Sequence, residues 1–288
     1  MRMPRRKLIG FIVFVLFALG SQLMSRAQGY QPFFDEDPTT RHAPADPEMT
    51  DLDLDVLLLC GDWGDRVEAR DFERLLMKEE HQAVVTRIRK AVGSRVYSSA
   101  GDNQEFVRQL RRAWFEQLGF KHVFCGEPGI GKDLGGLHFA ARFWQAQDEG
   151  WAGYRKLNKN YNKRTLDKCR KHYLKESVNT PIFNISIAFE NPKNPQNTVK
   201  CLGGYHLQMD TEKILIAGTQ AFKQANRRVG KNTTAACTFE TKVEGVDKHY
   251  SKLVVKSRAI RTFYALPEKK PYCREKPQDF KACLCSRL

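Results

Sequence analysis

Apolar residues recur along this chain at helical spacing in some stretches and in alternation in others, and the two periods lay out its elements. Phe72, Leu75, Leu76, Val84, Val85, Ile88 and Val92 fall at helical spacing and predict a helix over 71–92 that stops at Gly93. A second helix is predicted behind Asp102 as N-cap, with Glu105 three residues on and one stripe of Phe106, Leu110, Trp114 and Leu118, closed by Gly119. Residues 121–126 alternate and predict a strand that places Phe120, His122 and Phe124 on one face. The loop from Gly126 to Gly136 holds five glycines and a proline, after which residues 137–147 read as a helix with His138 near its start. Residues 181–190 alternate as a half-buried strand, 191–197 form a turn rich in Pro and Asn, and 198–209 read as the partner strand. Asp210, Thr211 and Glu212 open a helix bearing Ile214, Leu215, Gly218, Phe222 and Ala225. Beyond a loop at 230–233, residues 234–243 and 252–266 are predicted to close as an antiparallel pair. Helices first and strands with helices afterwards make the class α+β, with N-terminal helices packed on antiparallel sheets.

The ends of the chain change this picture. Residues 1–7 carry four basic side chains, 8–20 are an apolar run of thirteen, and a small-residue site ends at Ala27, the pattern of a secretory leader over 1–27. Thirteen residues are short of the about twenty that span a bilayer, so an uncleaved anchor is the weaker reading and no stable membrane association is expected after cleavage. The stretch 28–60 opens with four prolines and eight acids against a single arginine and reads as an acidic linker, 61–119 as a helical region and 120–288 as the main domain. Loss of the leader removes five positive charges and no negative one, taking the net charge from +15 to +10. A protein so basic favours a polyanion, whether RNA, anionic glycan or membrane surface. Nine basic residues against one acid at 155–175, with Tyr161, Cys169 and Tyr173 among them, form a loop suited to a phosphate backbone or simply to solvent. The leader predicts a secreted or periplasmic protein, where eight cysteines remaining after cleavage point to disulfides, although Cys125 also suits a small buried hydrophobe. The pair at Cys283 and Cys285 has no histidine or CxxC partner and makes no convincing zinc site.

His122 and His138 carry the candidate chemistry. A lone histidine in a strand is more often a satisfied core group, and His138 could equally be a polar residue near a helix start. A facing pair can remove one proton and deliver another near neutrality, which is the minimal equipment for cleaving a phosphodiester by transesterification. The blocks GFKHVFCGE at 119–127, GGLH at 135–138, FWQ at 143–145 and GWAGY at 150–154 resemble the two-histidine core of the EndoU family of uridylate-preferring endoribonucleases. That resemblance implies an EndoU-like catalytic domain acting on single-stranded RNA and leaving a 2′,3′-cyclic phosphate. It also implies His122 as base and His138 as acid, although either could serve. The family adds a lysine. Lys200 matches its Val-Lys-x-hydrophobic-Gly block, while Lys213, the alternative, needs a three-residue gap. A fixed cation there would hold charge on the phosphoryl oxygens. Relatives place serine or threonine four or five residues after that lysine to contact the base, where this chain has Gly204 and Tyr205. The terminal Thr-x-Tyr block gives Thr262 and Tyr264 as substrate-binding candidates, with Lys213 kept beside them. No cofactor is required by this chemistry, although some relatives are stimulated by manganese. Two rival readings remain, a non-catalytic RNA- or glycan-binding protein on the same scaffold, and a bacterial toxin with a cognate inhibitor or immunity protein.

Overall fold

The computed structural model describes residues 32–35, 43–127, 134–154, 177–179, 181–191, 194–226, 234–267 and 283–287. The leader, most of the acidic stretch before 43, the centre of the glycine loop, the basic loop at 155–175 and the start of the cysteine-bearing tail lie outside them. Thr50 opens the first helix, α1 (Asp51–Cys60), through a reciprocal box in which its hydroxyl accepts from the Asp53 amide and Asp53 accepts from the Thr50 amide. This corrects the reading of 28–60 as a linker throughout. Its acids at 51 and 53 sit at the positive end of a helix dipole, where they stabilise structure. Earlier in the same stretch Phe33 and Phe34 are buried, and Gln147 accepts from the amides of both while donating to the Phe34 carbonyl.

The helix predicted over 71–92 is broken. It divides into α2 (Ala69–Leu76), a 3-10 turn (Glu79–His81) and α3 (Gln82–Val92), which ends on left-handed Gly93. The next helix, α4 (Asn103–Phe115), is capped by Asp102 as its sequence predicts. The predicted strand at 121–126 is instead one π-helical turn, Lys121–Cys125. Phe120 and Phe124 satisfy either period, since four residues apart they also share a helical face, and their rings stack 4.7 Å apart in the core. Helix α5 (Ala140–Asp148) begins three residues later than its sequence predicts, so His138 precedes it and lies outside the helix.

One antiparallel sheet joins β1 (Ala152–Tyr154), β2 (Ser177–Asn179), β3 (Ile182–Asn191) and β4 (Asn194–His206), with β3 central. Helix α6 (Thr211–Asn226) follows. The second sheet runs β7 (Ala259–Leu266), β6 (His249–Lys256), β5 (Thr234–Thr241) and β8 (Cys283–Arg287), all antiparallel. Residues 252–266, predicted as one strand, are therefore a hairpin that turns at Ser257 and Arg258, both with positive φ. Neither residue signals such a turn, which glycine or asparagine normally fills. Helices α1 to α4, the π turn, α6 and the second sheet share one apolar core, while α5, the first sheet, Trp63, Phe33 and Phe34 form another. Cys60 and Cys125 are bonded, tying the end of α1 to the end of the π turn. Cys125 is thus a cross-link and not merely a small apolar side chain. Among the described residues no helix is long and apolar enough to cross a membrane.

Candidate active site

The backbones that carry the two histidines are laced together. Leu137 N–H donates to the His122 carbonyl at 2.7 Å and His138 N–H to that of Val123 at 2.8 Å. Two consecutive left-handed residues, Gly136 and Leu137, bring the chain back to make those bonds. Gly136 must be glycine, because a Cβ there would lie 1.8 Å from the His122 carbonyl oxygen. At the other end of the loop Glu127 and Gly135 exchange both backbone hydrogen bonds, so its base is fixed.

The imidazole centroids stand 6.0 Å apart with their planes inclined by 48°. Each ring has its Nδ1 taken. His122 Nδ1 lies 2.8 Å from a Glu127 carboxylate oxygen, and His138 Nδ1 lies 3.0 Å from the Gly204 carbonyl oxygen. Both partners accept, so both Nδ1 atoms carry hydrogen, and neutral rings keep an Nε2 lone pair for other work. Glu127 is itself held by Arg261 through two bonds of 2.8 and 2.6 Å. Burial alone would raise the Glu127 carboxyl, yet the hydrogen bonds and charges of His122 and Arg261 outweigh it and hold the group at about 2.

Lys200 completes the group. On β4 one extra residue is accommodated between Lys200, paired with Ile187, and Gly203, paired with Ile185. That bulge turns the lysine over Gly203, where a Cβ would come 3.0 Å from its Cδ, and its ammonium donates to the Gly136 carbonyl. Burial pushes the ammonium down to about 8, partly countered by the Glu127 charge. The same cause lowers both imidazoles. For His122 the hydrogen bond to Glu127 works against it, whereas His138 is driven well below its ordinary value by burial and then by the charges of Lys200 and His122. Tyr264 lies nearly parallel to the His138 ring, 4.7 Å from it.

Of the sequence-predicted residues, His122, His138, Lys200 and Tyr264 thus converge. Lys213 does not join them. It pairs with Asp210 at 2.8 Å and lines a groove with residues 44–50 and 207–210 that neither histidine borders. Thr262 is buried, and among the described residues its hydroxyl has no hydrogen-bond partner. Trp144 and Trp151 pack against the core around α5. Glu127 and Arg261 join the cluster without being predicted from sequence, although Glu127 stands in the GFKHVFCGE block and Arg261 flanks the Thr-x-Tyr strand. The carbonyls of Gly136 and Gly204 join it as well, and no side-chain pattern reveals them. Among the described residues Asp55, Glu80 and His81 bring ligand-type atoms within 4.8 Å of one another, but Lys78 already bonds Asp55 at 2.7 Å and supplies the positive charge there.

The family model described as bacterial EndoU nuclease matches residues 116–267, a span that runs from the end of α4 to the end of β7 and holds every member of this cluster. No curated protein and no solved structure matches the chain.

Proposed function

The chain belongs to the family of bacterial EndoU nucleases, and from that premise we propose that it cuts single-stranded RNA by attack of a ribose 2′-hydroxyl on the neighbouring phosphorus. The observation that carries this reading is the pair of imidazoles 6.0 Å apart, each with Nδ1 engaged and Nε2 left for substrate. One ring takes the proton of the 2′-OH as O2′ bonds to phosphorus, and the other protonates O5′ as the P–O5′ bond breaks. The products are a 2′,3′-cyclic phosphate and a 5′-hydroxyl. Lys200 places its ammonium beside both rings, where it stabilises the charge that grows on the non-bridging oxygens.

Electrostatics favour the opposite order of roles from the one the family resemblance implies. An imidazolium needs a counter-charge, and Glu127 provides one to His122 only. Among the described residues His138 faces a carbonyl, a lysine and another histidine, so it stays neutral. His138 therefore acts as base and His122 as acid. Uridine preference rests on the family alone. Gly204 gives its carbonyl to His138, and the Tyr205 ring is buried between Phe183, Phe143 and Phe34, so neither stands in for the serine or threonine of relatives. The reaction requires no metal, and manganese would act by assisting RNA binding.

Export to the periplasm or beyond is supported by the leader pattern and by the bond between Cys60 and Cys125, which persists in oxidising compartments. An exported bacterial ribonuclease would meet RNA chiefly in another cell, which favours an antagonistic toxin kept in check by an immunity protein. Expression without the leader in the cytosol should then arrest growth. The chemistry is tested with a labelled oligonucleotide bearing a single ribouridine among deoxynucleotides. Cleavage at that position with a cyclic phosphate terminus is expected, and cleavage of the all-deoxy strand would overturn the reading.

A further inference from the structure

Thr238, Lys252 and Tyr264 stand directly opposite one another across β5, β6 and β7. Directly opposed residues of antiparallel strands project to the same face. Their neighbours Cys237, Leu253 and Phe263, also opposed, point the other way into the core. The row therefore faces away from the core, and it leads to the candidate site, since the Tyr264 ring lies against His138. Lys252 is about 5 Å of strand spacing from the tyrosine backbone.

Lys252 differs from Lys213, Lys242 and Lys248. Lys242 and Lys248 both pair with Glu240, and Lys213 pairs with Asp210. Lys252 is half-buried, and among the described residues its ammonium meets only the neutral Thr238 hydroxyl, at 3.3 Å. Burial lowers its pKa, and no carboxylate among the described residues offsets the effect. A partly desolvated cation without a counter-charge is costly to keep, and an arriving anion would relieve that cost.

We propose that Lys252 forms a second phosphate subsite, which holds the phosphodiester on the 5′ side of the nucleotide being cut. The inference rests on the RNA-cleaving reading above and gives it a direction. Lys252 is reached from His138 through Tyr264, on the side of the ring assigned to the 2′-hydroxyl. That hydroxyl belongs to the nucleotide 5′ of the scissile bond, whose own 5′-phosphate then falls on Lys252. The leaving nucleotide lies toward His122.

The test uses two short oligonucleotides, identical except that the linkage 5′ to the cut nucleotide is either a phosphodiester or a neutral methylphosphonate. Lys252→Met keeps the apolar stem and removes the charge. On the phosphodiester substrate it should raise KM about tenfold, the scale of one charge-assisted hydrogen bond, with kcat within about twofold. On the methylphosphonate it should change nothing, and Lys252→Arg should retain most of the affinity. Equal losses on the two substrates, or no loss on either, would overturn the subsite. Binding of a non-cleavable 2′-deoxy strand supplies a readout independent of catalysis, with the slope of log affinity against log salt shallower in Lys252→Met by about 0.7. An unchanged slope also rejects the subsite. Absence of cleavage by the wild-type protein, with that slope difference present, would instead reject the nuclease reading and leave Lys252 as a phosphate contact.

Discussion

At the scale of single residues, the contact between Glu127 and His122 separates the two candidate orders of acid and base. Both imidazoles lie below their ordinary value of 6.5, so kcat/KM should peak on the acid side of that pH. Glu127→Gln removes the charge that favours protonated His122 and leaves Arg261 nearby to oppose it, so the His122 pKa falls further. With His122 as acid, the alkaline limb of the pH profile should move to lower pH while the acid limb stays. Movement of the acid limb instead would restore His122 as base. The histidines, Lys200 and Tyr264 are legible in the sequence because they sit in short blocks. Glu127 and Arg261 are not legible as partners, since 134 residues separate them and only the packing of β7 on the π turn brings them together.

At the scale of elements, tight turns bring the histidines and Lys200 together. Gly136→Ala would drive a methyl group into the His122 carbonyl in a backbone conformation that L residues rarely adopt. It should cost about 1–3 kcal/mol by denaturant unfolding, and its kcat/KM should fall by at least about a hundredfold as the two rings lose register. The bond from Cys60 to Cys125 closes a separation of 65 residues, so a Cys60→Ser, Cys125→Ser double variant should lose about 4 kcal/mol on the chain-entropy scale. Chemical unfolding of the double variant beside the wild type measures it. Elements of clear period were legible, including α4 with its Asp102 cap and the pairing of β3 with β4. Residues 120–125 misled because a phenylalanine pair four apart suits both a helix and an alternating strand, and only the histidine's place beside Glu127 distinguishes them. The bulge after Lys200 leaves no residue signature of its own, although the glycine it requires at 203 is visible.

At the scale of the whole molecule, buried imidazoles make the fold sensitive to acid. His206 is lowered by burial, and then by His249 and Lys213, to about 3, and His249 is lowered by burial against a bond to the Asp247 carbonyl. Their rings lie 4.4 Å apart where the end of β4 meets the start of β6. A histidine whose folded value lies below its unfolded one contributes stability that is complete above about 6.5 and is lost as pH falls toward the folded value. His122 and His138 act with the same sign, and Glu127 adds its share between 4.5 and about 2. The thermal midpoint should therefore fall steadily between about pH 6.5 and pH 3, and a midpoint flat across that window would contradict these burials. The shared core of N-terminal helices and second sheet was only partly foreseeable, because apolar periodicity shows which face is buried but not what covers it. Cleavage by the histidine pair is tested by the rate at which the wild-type protein and His138→Ala cut a short uridine-containing single-stranded RNA, with circular dichroism recorded on both. Cyclic phosphate products are expected from the wild type, with a loss of at least about a thousandfold in the variant at unchanged fold. Equal rates in the two proteins would contradict it.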